Sequence, residues 1–419
     1  MNISSIIISI LLLTFCNASY INKIDITGNK YTQNKIILRE ILHPIPAKLD
    51  SNLLEEDRDR IYNLGLFSTV EIYSSDSIYN IFVVETFRIL PLPLIEYDEG
   101  QGLSLGAGVS FLNFKGLNQK LFFGAIGGKQ EVVFLSFYDP WAYGNHGSLE
   151  SEILRYYQNS PNYNYSYRET AFRVGTGFYS GKNNKYKIRL GFEDILIDTL
   201  YARSNSKINL LNLQRLQFNY FTGFFKYEYD TRDIYSDPTK GGRFQLEIIP
   251  KMDINSNENR LSIDVSYKNF YGFDRLPLEP VFSFKTQLVL KYTRALPIFE
   301  REYIGGEGYI RGYSPIIKEN YSLVQNQIEC SQIIYNSFQF QHTLLKRHDY
   351  NGVEFGVDIV YFMDYGLSSE SLYDFKSSNS LVGYGIGFRY FISGAGVISI
   401  DFGFNPYGQL FIHPADGIY

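Results

Sequence analysis

From Arg88 onward the chain alternates apolar and polar residues with a period of two, segment after segment. Leu261, Ile263, Val265 and Tyr267 alternate with Arg260, Ser262, Asp264, Ser266 and Lys268, and Phe282, Phe284, Leu288, Leu290 and Tyr292 with Ser283, Lys285, Gln287 and Lys291. Near the C-terminus Ile398, Ile400, Phe402 and Phe404 alternate with Ser399, Asp401 and Gly403. Successive side chains of a strand point to opposite faces, so each segment has one apolar face and one wet face. Two architectures fit: a soluble sandwich, or a membrane barrel with lipid outside and water inside. Apolar segments about ten residues long, enough to cross a bilayer when tilted, favour the barrel. So do 36 Tyr and 33 Phe in 419 residues, a supply suited to interfacial girdles. A sandwich would struggle to bury so many strands in one domain. Segments begin near Ile89, Leu103, Lys120, Val132, Ser148, Tyr167, Tyr186, Leu216, Gly242, Leu261, Val281, Tyr321, Val353, Leu381, Val397 and Gln409. That is sixteen, an even number as a closed antiparallel bacterial barrel requires.

The opening residues carry an apolar run from Ile6 to Phe15, the length of a signal-peptide core and too short to span a bilayer. With Cys16 and Ala18 at the small-residue positions, residues 1–18 read as an export signal. Nothing after it has 18 consecutive apolar residues, so no transmembrane helix is expected. Once the signal is removed Cys330 is alone, which leaves no intrachain disulfide and no cysteine cluster for a metal. A formal net charge of -5 gives no footprint for nucleic acid.

Residues 19–87 have a different pattern. Ile24 and Ile26 belong to a strand that stops at Gly28 and Asn29. Thr32 is placed to cap a helix carrying Ile36, Ile37 and Ile41, which Pro44 ends. A second helix starts at Asp50 or Ser51 and stops at Gly65, and two strands, FSTVEIY and NIFVVETF, follow. The β-α-α-β-β order, with ITGN early and LGLFSTVEI late, resembles the polypeptide-transport-associated (POTRA) domain. That resemblance implies an exposed sheet edge able to take up an extended polypeptide by strand addition. The fold class expected is therefore mainly β, a 16-stranded antiparallel transmembrane β-barrel over residues 88–419 preceded by one small POTRA domain.

Within the alternating region one stretch stands out: GGEGYIRGYSP, residues 305–315, between the eleventh and twelfth segments and so in the sixth surface-side loop. Ile310, Arg311, Gly312 and Tyr313 resemble the loop motif of the BamA/TamA superfamily of outer-membrane proteins, the bacterial surface antigen family. YDTRDIYSDPTKGG, NFKGLNQKLFFG and SFYDPWAYG match the family as well. The resemblance implies that the loop folds back into the lumen, where its arginine pairs with the acid of an F-x-D-x-G motif, here Phe362, Asp364 and Gly366. Alternation puts those three on one face. An arginine held there can bond a carboxylate with two N–H groups, and flanking glycines let the backbones approach.

Proline marks a second feature. The first barrel segment contains Pro91 and Pro93 and the last contains Pro414, and proline removes a ladder donor. These two strands must meet to close the barrel, so both sides of that seam are poor in hydrogen bonds, with Leu94 and Phe411 on its two flanks. The resemblance implies a seam that opens to client strands or lipid.

Enzyme signals are weak. Residues 102–106, GLSLG, satisfy G-x-S-x-G, but Ser104 lies within a strand and no helix follows. His43, His146, His342, His348 and His413 have no metal-binding spacing. The expectation is a non-enzymatic outer-membrane protein without cofactor, its POTRA domain in the periplasm. Its partners would be unfolded outer-membrane or secreted polypeptide, outer-membrane lipid and accessory lipoproteins, and its work the assembly or insertion of β-barrels. The alternatives are a polypeptide secretion pore of the two-partner type and a passive channel or surface antigen.

Overall fold

A computed structural model describes residues 20–98, 102–144, 147–163, 165–198, 215–235, 237–293, 296–306, 308–320, 328–350, 353–392 and 396–417. The expected signal peptide and His146 lie outside these residues.

The N-terminal domain runs β1 (Tyr20–Ile21), β2 (Lys23–Thr27), α1 (Asn34–Leu38), β3 (Ala47–Lys48), α2 (Ser51–Tyr62), β4 (Phe67–Ser75) and β5 (Ile78–Glu85). β5 is central, parallel to β2 and antiparallel to β4, so β2 and β4 are the edges of the three-stranded sheet. Ile36, Ile37 and Ile61 from the helices pack on Phe67, Tyr79 and Ile81 from the sheet. Each such side chain is worth about 1.5–3 kcal/mol when taken fully out of water. Asp50 caps α2 by accepting from the N–H groups of Asn52 and Leu53.

Thr32 does not cap α1. The cap position is Gln33, without a side-chain bond, and the buried Thr32 hydroxyl instead accepts at 2.8 Å from Asn113 Nδ2, near the end of the second barrel strand (Gly102–Phe114). The helix also ends at Leu38, short of Ile41 and Pro44, and Ile41 packs against the core from outside it. Beneath these elements Asp57 is buried and accepts from Leu42 N–H at 2.7 Å and from the Tyr79 hydroxyl at 3.0 Å. Burial, and then the neighbouring Asp57 carboxylate, push the Tyr79 phenol above its ordinary value.

The barrel strands are β6 (Ile89–Asp98), β7 (Gly102–Phe114), β8 (Gln119–Gly128), β9 (Gln130–Asp139), β10 (Gly147–Asn159), β11 (Ser166–Ser180), β12 (Asn184–Asp198) and β13 (Gln217–Asp230). They continue with β14 (Lys240–Asp253), β15 (Arg260–Gly272) and β16 (Val281–Tyr292). The long loop after β16 contains the short pair β17 (Glu302–Tyr303) and β18 (Glu329–Cys330). The wall resumes with β19 (Gln332–Tyr350), β20 (Val353–Ser369), β21 (Ser380–Ile392), β22 (Gly396–Phe404) and β23 (Leu410–Gly417). All wall strands belong to one 16-stranded antiparallel sheet in sequence order.

Alternation predicts the twelfth wall strand from near Tyr321, but it begins at Gln332. Residues 321–327 lie outside the described residues, and the apolar residues on either side of them, Ile316 and Ile328, are buried with the loop. Along the wall the apolar set faces outward, with Leu105, Phe172, Leu190, Tyr361 and Met363 exposed, while Ser104, Glu193, Thr222, Ser337 and Asp364 face in and are buried.

The N-terminal domain sits across one mouth of the barrel. Gln33 N–H donates to Gly116 O at 3.0 Å, the Arg39 guanidinium lies 4.2 Å from the Trp141 ring, and Asn63 Nδ2 donates to Asp233 O at 2.8 Å. Tyr62 bonds Glu354 and Glu56 pairs with Lys182. These contacts engage turns or strand ends between β7 and β8, β9 and β10, β11 and β12, β13 and β14, and β19 and β20.

Candidate functional site: the lumen loop and the seam

The described residues of the loop between β16 and β19 fold into the lumen. A backbone bridge between Gly305 and Ile310, with Ile310 N–H donating to Ile304 O at 3.0 Å, makes the tight turn that presents Arg311. Ile310 and Tyr313 on either side are fully buried with Val289, Ile304, Ile328, Ile333 and Leu381, so the loop carries its own apolar footing against the wall.

Arg311 reaches from that footing to β20. Its Nε donates to Asp364 Oδ2 and its Nη2 to Asp364 Oδ1, both at 2.8 Å, and its main-chain N–H donates to Oδ2 at 3.1 Å. Ser337 Oγ donates to the same carboxylate at 2.7 Å and the Tyr335 hydroxyl at 3.3 Å. Phe362, two residues before Asp364 on the same face, lies under the guanidinium at 3.6 Å. Gly366, two residues after, lies beside the side chains of Ile310 and Ile304. Arg311 is 4% exposed and Asp364 0%, so this is a buried ion pair with its lone pairs filled.

Close approach of backbones makes the contact possible. A Cβ on Gly383 would stand 1.7 Å from Arg311 O. Gly312 has φ +107, and a Cβ there would meet Phe404 O at 2.4 Å.

The structure adds partners that the motifs do not reveal. Arg311 Nη1 donates to Asp401 Oδ2 on β22 at 2.9 Å, and Arg389 on β21 donates to both oxygens of Asp401 at 2.6 and 3.1 Å. Gly312 N–H donates to His413 Nε2 on β23 at 3.1 Å, and Asn405 Nδ2 donates to Gly312 O at 2.9 Å. The loop is therefore tied to each of the last four strands. The only sequence signal for Asp401 is an acid on the polar face between Ser399 and Gly403, which looks the same as solvated lumen lining.

The seam residues lie within the strands. Pro91 stands opposite Val109 and Pro93 opposite Ala107 in the β6–β7 register, and Pro414 opposite Ile400 in the β22–β23 register. Leu94 is buried on the lumen side, facing Gly108 and Gly124, and Phe411 stands 6.4 Å from the His413 ring. Among the described residues no ladder joins β6 to β23. Alternate residues of an antiparallel strand turn their N–H groups to opposite neighbours. The β6–β7 register is unbroken through both prolines, which fits missing donors on the free edge.

Other sequence candidates resolve locally. Ser104 is buried in β7, where its hydroxyl accepts from Gln130 N–H at 3.0 Å. His43 belongs to the N-terminal domain, its Nε2 accepting from Asp50 N–H at 3.0 Å. His342 and His348 lie on β19.

Known proteins share this fold. The family model described as the Omp85 superfamily domain matches residues 113–409, and that of the POTRA surface antigen variable number repeat matches residues 19–86. Among solved structures, BamA from Haemophilus ducreyi lacking POTRA domains 1-3 aligns at TM-score 0.56 and 18% identity, covering 95% of this chain and 83% of that one. CdiB from Escherichia coli aligns at TM-score 0.55 and 14% identity over 95% of this chain and 75% of that one, and CdiB from Acinetobacter baumannii at 0.53 and 12% over 94% and 72%. At these identities the solved structures speak for the fold, and the family model speaks for descent. The chain belongs to the Omp85 superfamily, as an outer-membrane β-barrel with one POTRA domain in the periplasm.

Proposed function

We propose that this protein assists the insertion of β-barrel clients into the outer membrane, receiving unfolded polypeptide at its POTRA domain and working at the seam between β6 and β23. Omp85 proteins are transporters and assembly factors, and the relatives point to polypeptide as the substrate. The observation that favours insertion over export through the lumen is that, among the described residues, no ladder joins β6 to β23. β6 and β23 present strand edges with prolines on both sides, while the lumen is occupied by a loop fixed to β20, β21, β22 and β23. A client strand can add to an open edge through main-chain hydrogen bonds, and folding and burial of its apolar surface supply the driving force. Neither step calls for a catalytic side chain.

On this reading Arg311, Asp364 and Asp401 hold the loop as a fixed inner strut for the strands bordering the seam. The periplasmic end would take in client at the sheet edges of the POTRA domain, with accessory lipoproteins and outer-membrane lipid as further partners. Depletion followed by an outer-membrane proteome tests the proposal. A general fall in barrel proteins is expected. Loss of one exported protein alone would mean dedicated secretion, and an unchanged proteome would mean a passive role.

A further inference from the structure

The outward face of β10 to β13 changes character within one step of the sheet register. Ile153, Phe172, Phe192 and Phe221 stand opposite one another on the four strands, all exposed, as an unbroken apolar row. The next outward row, toward the mouth opposite the POTRA domain, reads Arg155, Thr170, Asp194 and Asn219, and the one after it Tyr157, Arg168, Leu196 and Gln217. A barrel wall is apolar where it meets acyl chains and turns polar at the headgroups, with aromatic rings at the boundary. Arg155, four residues from the Asn159 end of β10, and Arg168, two residues from the Ser166 end of β11, therefore lie on the headgroup side of that change.

Arg155 is exposed and, among the described residues, has no hydrogen-bond, ion-pair or ring partner. Arg168, also exposed, lies 6.0 Å from the centre of the Tyr157 ring. The two are diagonal neighbours on adjacent strands, which puts their attachment points about 7–8 Å apart, close enough for both guanidinium groups to meet one phosphate. Two acids stand on the same rows. Glu131 is opposite Tyr157 on β9, and Asp194 accepts from Gln217 Nε2 at 3.0 Å and from Asn219 Nδ2 at 2.6 Å. Both bonds fall on Oδ1, so among the described residues Oδ2 is left to a further donor.

A shallow cavity of about 480 Å³ opens on this face. Ile153, Phe172 and Phe192 line its apolar half, and Thr170, Asp194 and Asn219 its polar half. An apolar half suits an acyl chain, a carboxylate with a free oxygen suits hydroxyl donors, and two arginines at the rim suit phosphate. The polar row runs across three strand spacings, about 14 Å, which a sugar headgroup fills better than a lone phosphodiester. The geometry points to a binding site for a phosphorylated glycolipid of the outer leaflet on the lipid-facing wall, with Arg155 and Arg168 on its phosphate and Asp194 on its sugar hydroxyls. The site faces away from the lumen and lies strands away from the seam, so this inference is independent of whether the protein inserts or secretes polypeptide.

Native mass spectrometry of the purified full chain in detergent, titrated with diphosphorylated lipid A, tests it. One lipid A per chain is expected to be retained, with R155Q/R168Q lowering affinity about tenfold or more and R155K/R168K keeping most of it. Dephosphorylated lipid A and phosphatidylglycerol, which lack the phosphates and the sugars respectively, should each bind more weakly. Heat-modifiable gel mobility confirms that each variant is folded, and if the double glutamine variant is not, R155Q and R168Q singly should each weaken binding. No retention of lipid A by the wild-type chain, or undiminished retention by a folded glutamine variant, overturns the site. Phosphatidylglycerol held as tightly as lipid A, or dephosphorylated lipid A held as tightly as the diphosphorylated form, overturns the ligand class.

Discussion

At the scale of single residues, Arg311 carries the heaviest consequence because it answers two buried carboxylates. Arg311→Ala would leave the buried Asp364 without its ion-pair partner and Asp401 with Arg389 alone, and breaking a buried pair costs about 3–5 kcal/mol against roughly 0–1 for a solvated one. The variant should lose heat-modifiable mobility at a lower temperature than the wild type; an unchanged transition would show that the pair contributes nothing. Arg311→Lys should not rescue it, since a single ammonium cannot make the two-oxygen contact with Asp364 while reaching Asp401. Gly383→Ala keeps every charge yet puts a methyl group where Arg311 O lies, so a similar loss of thermal stability is expected. The arginine and Asp364 are both prominent in the sequence because each sits in a short motif. Asp401 is 90 residues from Arg311, and only the curvature of the wall brings it close.

Among the elements, the strands were the most legible part of the chain, because lipid outside and water inside impose alternation on every one of them. The exception is instructive. Alternation places a strand near Tyr321 because the lumen loop buries apolar residues of its own, Ile310, Tyr313, Ile316 and Ile328, and a local pattern cannot separate burial against a wall from burial in one. A capping rule assigns Thr32 to α1 for a related reason: it sees only local chain, whereas the partner of Thr32, Asn113, lies in another domain. The same contact predicts that Asn113→Ala, which removes the donor to Thr32, weakens the seating of the POTRA domain. Limited proteolysis should then cut faster at the junction near Arg88, while the isolated barrel transition stays unchanged. The prolines of β6 give an element-level prediction of opposite sign. Pro91→Val with Pro93→Val restores two ladder donors at the edge, and should raise the unfolding temperature and slow client insertion together.

For the whole molecule, sixteen strands, one inserted loop and one POTRA domain leave few ways to act. The POTRA domain contacts turns or strand ends around much of the inner mouth, the loop is tied into the lumen, and among the described residues no ladder joins β6 to β23, the edges at which we propose that polypeptide meets the barrel. Whether such a molecule inserts or exports could not be read from the sequence, since both tasks need an export signal, a POTRA domain and an alternating wall. The measurement that separates them is client insertion into liposomes by a Leu94→Cys, Phe411→Cys variant in a Cys330→Ser background, with the two cysteines joined by a reducible cross-linker. Insertion should fall to the protein-free rate when the seam is joined and recover when the cross-link is reduced. Insertion that continues undiminished with the seam joined would contradict the account.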